Sequence, residues 1–259
     1  MIDTVFIVGP TASGKSALAL RLAEVLDAEI ICADSQTIRR ELDLGTAKPS
    51  KEEQARVRHH LLDVIGPYDS YSAAQFKADA EAALHDIHQR GNVALVVGGT
   101  GLYIDALFYD YGFSGVPADE RVRRELSGNP RHVASHAKPL QHPPRPASSI
   151  IGLDPGRETI LAHIHARIAS NFEHGFMHEV ERVVTKYGPP PATIDAIAYR
   201  YAVELLEGTA TEAETKERIF IAERQFAKRQ MTWFKRNPHI KWFSAADEAY
   251  DFVCKTLKS

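Results

Sequence analysis

The run Val5-Phe6-Ile7-Val8-Gly9-Pro10-Thr11-Ala12-Ser13-Gly14-Lys15-Ser16 constrains this chain more than any other. Its first four residues are apolar and predict a buried strand. Gly9 and Gly14 then bracket four residues ahead of Lys15 and Ser16, the phosphate-loop spacing G-x-x-x-x-G-K-[ST]. Glycine tolerates backbone angles that other residues resist. The loop can therefore turn its N–H groups inward around a diphosphate. Lys15 adds a positive charge, and a serine at the place of Ser16 can hold Mg²⁺. Ala17 to Leu26 reads as a helix whose positive end faces the same anion. An ordinary glycine turn would have no need of Lys15 and Ser16.

The next strand, Glu29-Ile30-Ile31-Cys32-Ala33, ends at Asp34-Ser35-Gln36-Thr37. Polar residues at the carboxyl end of a parallel strand lie where α/β sheets bind ligands. Asp34 is thus a candidate base or metal-associated carboxylate, with a turn or cap aspartate as the alternative. Lys48, in the loop Leu44-Gly45-Thr46-Ala47-Lys48-Pro49, reads as a solvated lysine. His59 to Val64 reads as a short strand. Its paired histidines point to opposite faces and have no third ligand nearby, so zinc is not expected. Ser72 and Gln75 have capping-box spacing and open a helix that runs to about Arg90, with Gly91 as its stop. Val93 to Val97 is an apolar strand ending in Gly98-Gly99-Thr100-Gly101, which predicts a second close approach to a ligand. Strands alternating with helices predict an α/β fold with a doubly wound parallel sheet of the phosphate-loop type.

Residues 1–117 are expected to form the N-terminal part of that core. Residues 118–158 read as a short irregular insertion. Pro130, Pro139, Pro143, Pro144, Pro146 and Pro155 interrupt every helix there. Residues 159–259 read as a helical part that completes the core. Ile160, Ile164, Ile168, Phe172, Phe176 and Val180 form one apolar stripe with Gly175 as a kink. Asp195 to Glu207 and Ala213 to Arg236 are further helices. The last carries Arg218, Arg224, Lys228, Arg229, Lys235 and Arg236 besides Lys216, against Glu214, Glu217 and Glu223 over the same stretch. In a chain of net charge -3, such a basic helix interleaved with Phe226, Trp233 and Phe234 favours an anionic partner.

No apolar run of the 259 residues reaches membrane-span length, and the first strand leaves no room for a signal peptide. Cys32 and Cys254 match no metal or redox spacing. They read as reduced packing residues of a cytoplasmic protein, and a monomer is expected.

Several segments together resemble the tRNA dimethylallyltransferase (tRNA isopentenyltransferase) family. They are Gly9 to Ser16, Asp34-Ser35-Gln36, Gly45 to Pro49, His59 to Asp63, Gly98-Gly99-Thr100-Gly101-Leu102-Tyr103 and Arg224 to Phe234. They follow family order and span nearly the whole chain. The resemblance implies transfer of a dimethylallyl group from dimethylallyl diphosphate to N6 of the adenosine 3′ of the anticodon, in tRNAs that read codons beginning with U. It implies that Asp34 is the general base and that Thr11 to Ser16 cradle the diphosphate, with Mg²⁺ at Ser16. Thr100 and Arg224 would meet the leaving diphosphate beside Lys15. Asp34, Ser35, Gln36, Thr37, Thr100 and Arg123 would contact the tRNA anticodon stem-loop, and the basic helix would add Lys228 and Arg229.

Three features depart from the family pattern. The insertion is short and lacks a Gln-Arg-x-x-Arg run, Ala198-Tyr199 replaces Gly-Tyr, and Glu223 stands where a threonine is usual. A nucleotide or small-molecule kinase on the same fold, and a tRNA-binding relative without catalysis, are the alternatives. The glycine ending of the strand Val93 to Val97, without an aspartate, argues against ATP chemistry. The joint presence of Lys15, Asp34, Thr100 and Arg224 argues for an enzyme.

Overall fold

The structure is a computed structural model, which describes residues 2–113, 143–191 and 196–258. A parallel six-stranded sheet organises it, in the order β3-β2-β4-β1-β5-β6. Its strands are β1 (Thr4–Val8), β2 (Glu29–Cys32), β3 (His59–His60), β4 (Ala94–Gly98), β5 (Ser148–Leu153) and β6 (Lys241–Phe243). β1 lies between β4 and β5, in register from Thr4↔Ala94 to Val8↔Gly98 on one side and from Thr4↔Ser148 to Val8↔Gly152 on the other.

Alternation along β1 builds two cores. Phe6 and Val8 face α3 (Ala73–Gln89) and α4 (Gly101–Phe108), packing with Phe76, Leu84, Tyr103 and Ile104. Val5 and Ile7 face α1 (Lys15–Leu26) and α9 (Ala246–Lys258), packing with Leu18, Leu22 and Val253. Burial on both faces explains why these strands are continuous apolar runs. The expected capping box of α3 is present, with Ser72 and Gln75 bonding reciprocally, and the short α2 (Lys51–Arg56) has one of its own between Ser50 and Glu53.

A third apolar cluster joins four helices: α5 (Arg157–Glu173), α6 (Phe176–Tyr187), α7 (Ile197–Leu206) and α8 (Glu212–Phe234). The apolar stripe expected in one kinked element is divided between α5 and α6. Gly175, at φ 95°, is the N-cap of α6.

Three expectations need correction. Part of the segment read as irregular, Ser148–Leu153, is β5 and lies beside β1 near the middle of the sheet, and α5 already begins at Arg157. Pro146 and Pro155 flank β5 instead of interrupting it, so no ladder N–H is lost. The strand predicted over His59 to Val64 is only two residues long, because Leu61 and Asp63 take positive φ. Lys48 is not solvated. Its side chain is 2% exposed, and Nζ donates to Arg39 O (2.7 Å), Asp43 Oδ1 (2.6 Å) and Asp63 Oδ1 (2.5 Å). The lysine pins the loop from Leu44 to Pro49 against the strand-end segments beside it.

Candidate active site

The carboxyl ends of β1, β2 and β4 converge on one cavity of about 290 Å³. The phosphate loop contributes Thr11, Ala12, Gly14, Lys15 and Ser16. The segment after β2 contributes Asp34, Gln36 and Thr37, and the end of β4 contributes Val97 and Gly98. Gly45, Thr46, Ala47 and Pro49 form a wall, and Arg167, Glu223 and Phe226 enter from α5 and α8. Leu20, Ile30 and Cys32 supply apolar surface.

The loop has the geometry that its spacing predicts. Gly14 takes φ 90°, which favours glycine, and is the N-cap of α1. Lys15 Nζ donates to Pro10 O at 3.2 Å, and Ser13 N donates to the same carbonyl at 3.2 Å. Burial pushes the Lys15 ammonium down to about 8, against the attraction of Asp34, and the nearby Arg167 charge pushes the same way as burial. An anion in the cavity would restore the charged form. On Asp34, Oδ1 accepts from Gln36 N at 2.8 Å, which fixes the carboxylate at the cavity edge. Gln36 Oε1 and Thr37 Oγ1 are buried and have no hydrogen-bond partner among the described residues. Burial likewise raises the Cys32 thiol far above its ordinary range, so it stays protonated.

The site residues expected from sequence are only partly brought together. Lys15, Ser16, Asp34, Gln36 and Thr37 line the cavity with Thr11, Ala12 and Gly14. Gly9, Pro10 and Ser13 belong to the loop without lining the cavity. Thr100 does not line the cavity. Its Oγ1 accepts from Ser35 N at 3.0 Å and so ties the end of β4 to the segment after β2. Arg224 is exposed, with its guanidinium 6.0 Å from the centre of the Phe220 ring, and does not line the cavity. Lys228 and Arg229 are exposed on the same helix. Arg123 lies outside the described residues.

The glycines at the end of β4 are required by the chain's own packing. A Cβ on Gly98 would sit 1.9 Å from Ala33 O, and one on Gly99 would sit 2.1 Å from Gln230 Nε2. These close approaches are made by the chain's own elements, and Gly98 also lines the cavity.

Sequence reasoning missed three residues that hold the loop from the helical side. Gln230 is buried. Its Oε1 accepts from Thr11 N at 2.7 Å and its Nε2 donates to Gly99 O at 3.0 Å. Arg167 Nη1 donates to Thr11 Oγ1 at 3.0 Å, and its Nη2 donates to Glu223 Oε2. His163 Nδ1 lies 3.0 Å from Ala12 O. Gln230 did carry a signal: it shares a helical face with Ala227 and Phe234, and a polar side chain on an apolar stripe needs a partner. Arg167 flanks the stripe at Ile164 and Ile168 without that signal.

The donor set suits a hard divalent cation. The Ser16 hydroxyl and the Asp34 carboxylate are hard oxygen donors on one cavity, whereas the Glu223 carboxylate is engaged by Arg167. Among the described residues, no group of three or more His, Cys, Asp and Glu could hold a metal alone. The site therefore fits an ion that completes its shell with diphosphate oxygens and water. Among those residues, too, no helix is long and apolar enough to cross a membrane.

The family model for IPP transferases matches residues 37–138 and 127–237. A tRNA dimethylallyltransferase of Koribacter versatilis is 35% identical over 91% of this chain and 91% of its own length. A second such protein, from Geotalea uraniireducens, is 36% identical over 98% and 95%. Among solved structures, the tRNA delta(2)-isopentenylpyrophosphate transferase of Staphylococcus epidermidis aligns with a TM-score of 0.82 at 28% identity, covering 100% of this chain and 99% of that one. The full-length tRNA isopentenylpyrophosphate transferase of Bacillus halodurans aligns at 0.81 and 29%, covering 100% and 97%. In its sequence, its sheet and its phosphate-loop cavity alike, the chain belongs to the tRNA dimethylallyltransferase family of prenyltransferases.

Proposed function

We propose that the chain transfers the dimethylallyl group of dimethylallyl diphosphate to N6 of the adenosine 3′ of the anticodon, in tRNAs reading codons that begin with U. The observation that carries this is the meeting of Lys15, at the phosphate loop, with Asp34, at the end of β2, in one cavity. The loop N–H groups and Lys15 hold the diphosphate. As the allylic C–O bond breaks, they take up the charge left on the diphosphate. The adenosine is extruded from the anticodon loop to reach the cavity, as for other base-modifying enzymes. N6 forms its bond to C1 of the dimethylallyl group, and its proton passes to the Asp34 carboxylate. The unpaired Gln36 Oε1 and Thr37 Oγ1 are suited to meet the incoming base edge. The Ser16 hydroxyl, with Asp34 close by, would hold Mg²⁺, which neutralises leaving-group charge when bound. Leu20, Ile30 and Val97 offer the prenyl group apolar surface, worth about 0.8 kcal/mol per buried CH₂. Arg123 and the exposed Lys228 and Arg229 would grip tRNA phosphates. The enzyme is proposed to work as a cytoplasmic monomer.

The test supplies tRNA, labelled dimethylallyl diphosphate and Mg²⁺, with no ATP. Label should appear in an anticodon-loop adenosine, and Asp34→Asn should lower the single-turnover rate by about 10²–10⁴. Consumption of ATP with a nucleoside or small-molecule acceptor, and no labelled RNA, would replace this reading with a kinase.

A further inference from the structure

Arg167 reaches the cavity from α5 with its guanidinium divided between two partners. Nη1 donates to Thr11 Oγ1 in the phosphate loop, 3.0 Å away, and Nη2 donates to Glu223 Oε2 on α8. Arg167 and Glu223 both line the cavity with Lys15. Their side chains are 24% and 12% exposed, so water screens the pair little. Lys15 feels Arg167 as a neighbouring positive charge. Two cations therefore face one small volume, and Glu223 is the acid that balances the second of them. A carboxylate in that position repels any diphosphate that enters. Arg167 is also the only kind of side chain here whose planar fork can exchange one pair of oxygens for another without moving far. By contrast, the Arg224 guanidinium is exposed over Phe220, outside the cavity.

We propose that Arg167 is a diphosphate-binding residue and that Glu223 is its exchange partner. Glu223 holds the guanidinium at the loop while no anion is bound, and Arg167 turns from Glu223 to a phosphate oxygen when dimethylallyl diphosphate enters. The Thr11 bond is the pivot that keeps Arg167 at the loop in both arrangements. After transfer, Glu223 competes for the guanidinium again and helps release the product diphosphate. The proposal rests on reading the cavity as the diphosphate site.

The full chain is titrated calorimetrically with inorganic diphosphate and Mg²⁺, and assayed for prenyl transfer to an anticodon stem-loop RNA. Arg167→Ala should weaken diphosphate binding by about 10–100-fold, the usual worth of a charge-assisted hydrogen bond, with Arg167→Lys recovering part of it. Glu223→Gln should do the reverse. It should bind diphosphate several-fold more tightly and turn over more slowly, because product leaves late. A merely structural ion pair predicts weaker binding for both variants. Circular dichroism and the unfolding midpoint check the fold, and if Arg167→Ala does not fold, Arg167→Lys and Glu223→Gln decide the question. Prenyl transfer by the parent together with unchanged diphosphate affinity in the Arg167 variants overturns the proposal and leaves the function standing. Weaker affinity in those variants, with no prenyl transfer by the parent, upholds diphosphate capture by Arg167 and overturns the transferase reading instead.

Discussion

Thr11 and Gln230, 219 positions apart, share a 2.7 Å hydrogen bond from the backbone N–H of the first to Oε1 of the second. The same amide donates to Gly99 O, so one buried side chain sets the distance between the phosphate loop and the end of β4. Gln230→Leu keeps the volume and removes both bonds. It leaves the half-buried Thr11 N–H and the buried Gly99 carbonyl unpaired, at a cost of about 1–3 kcal/mol for a fully buried group. Denaturant unfolding should show a loss of about 2–4 kcal/mol, and prenyl transfer should fall more than diphosphate affinity does. Unchanged stability would mean that neither bond matters to the fold.

Lys15 gives diphosphate binding a pH dependence with a defined sign. Burial holds its pKa at about 8, below the ordinary 10.5. Below pH 8 the empty enzyme carries the charge that attracts the ligand, and above it the charge is lost. A bound diphosphate raises the pKa again, so binding above pH 8 takes up a proton. Affinity should therefore decline as pH rises from about 8 to 10. Lys15→Met should bind more weakly at pH 7 and lack that decline. The same shift acts oppositely on folding: the unfolded chain binds the proton more tightly, so this group's contribution to stability rises between pH 8 and 10.5.

Glu29 makes the sheet sensitive to acid. Burial alone would raise its carboxyl, but hydrogen bonds from Arg90, His60 and Asn92 outweigh burial and hold it down to about 2. Its stabilising contribution is complete above the unfolded value of 4.5 and is lost as pH falls through about 2. Glu29→Gln should lower stability at pH 7 by about 1–3 kcal/mol and flatten the decline between those two values. Acid titrations followed by circular dichroism measure both, and parallel curves for parent and variant would exclude Glu29 as the source.

Lys228 and Arg229 stand on the exposed face of α8, away from the cavity side. Their joint replacement by alanine should weaken tRNA binding and reduce the slope of log affinity against log salt by about one to two, as for two lost phosphate contacts. Inorganic diphosphate binding should stay at the parent's value. An unchanged salt slope would place the tRNA contact on another surface.

The phosphate loop was legible because its chemistry is local: Gly9, Gly14, Lys15 and Ser16 need only the right spacing and the strand and helix around them. The parallel sheet was legible for the same reason, since strands buried on both faces are continuous apolar runs. Asp34 could be read as a candidate because the end of a parallel strand is a place defined by the fold class. Tertiary structure decided what depends on partners distant in the chain. Ser148–Leu153 lies beside β1 although prolines surround it, because a proline outside a ladder removes no hydrogen bond. Lys48 is buried because Asp43 and Asp63 converge on it from two turns. Arg167, and not Arg224, enters the cavity, because the packing of α5 against α8 determines which face of each helix meets the loop. Spacing along the chain encodes the chemistry of a loop, whereas the choice among basic side chains on amphipathic helices is made only when the helices pack.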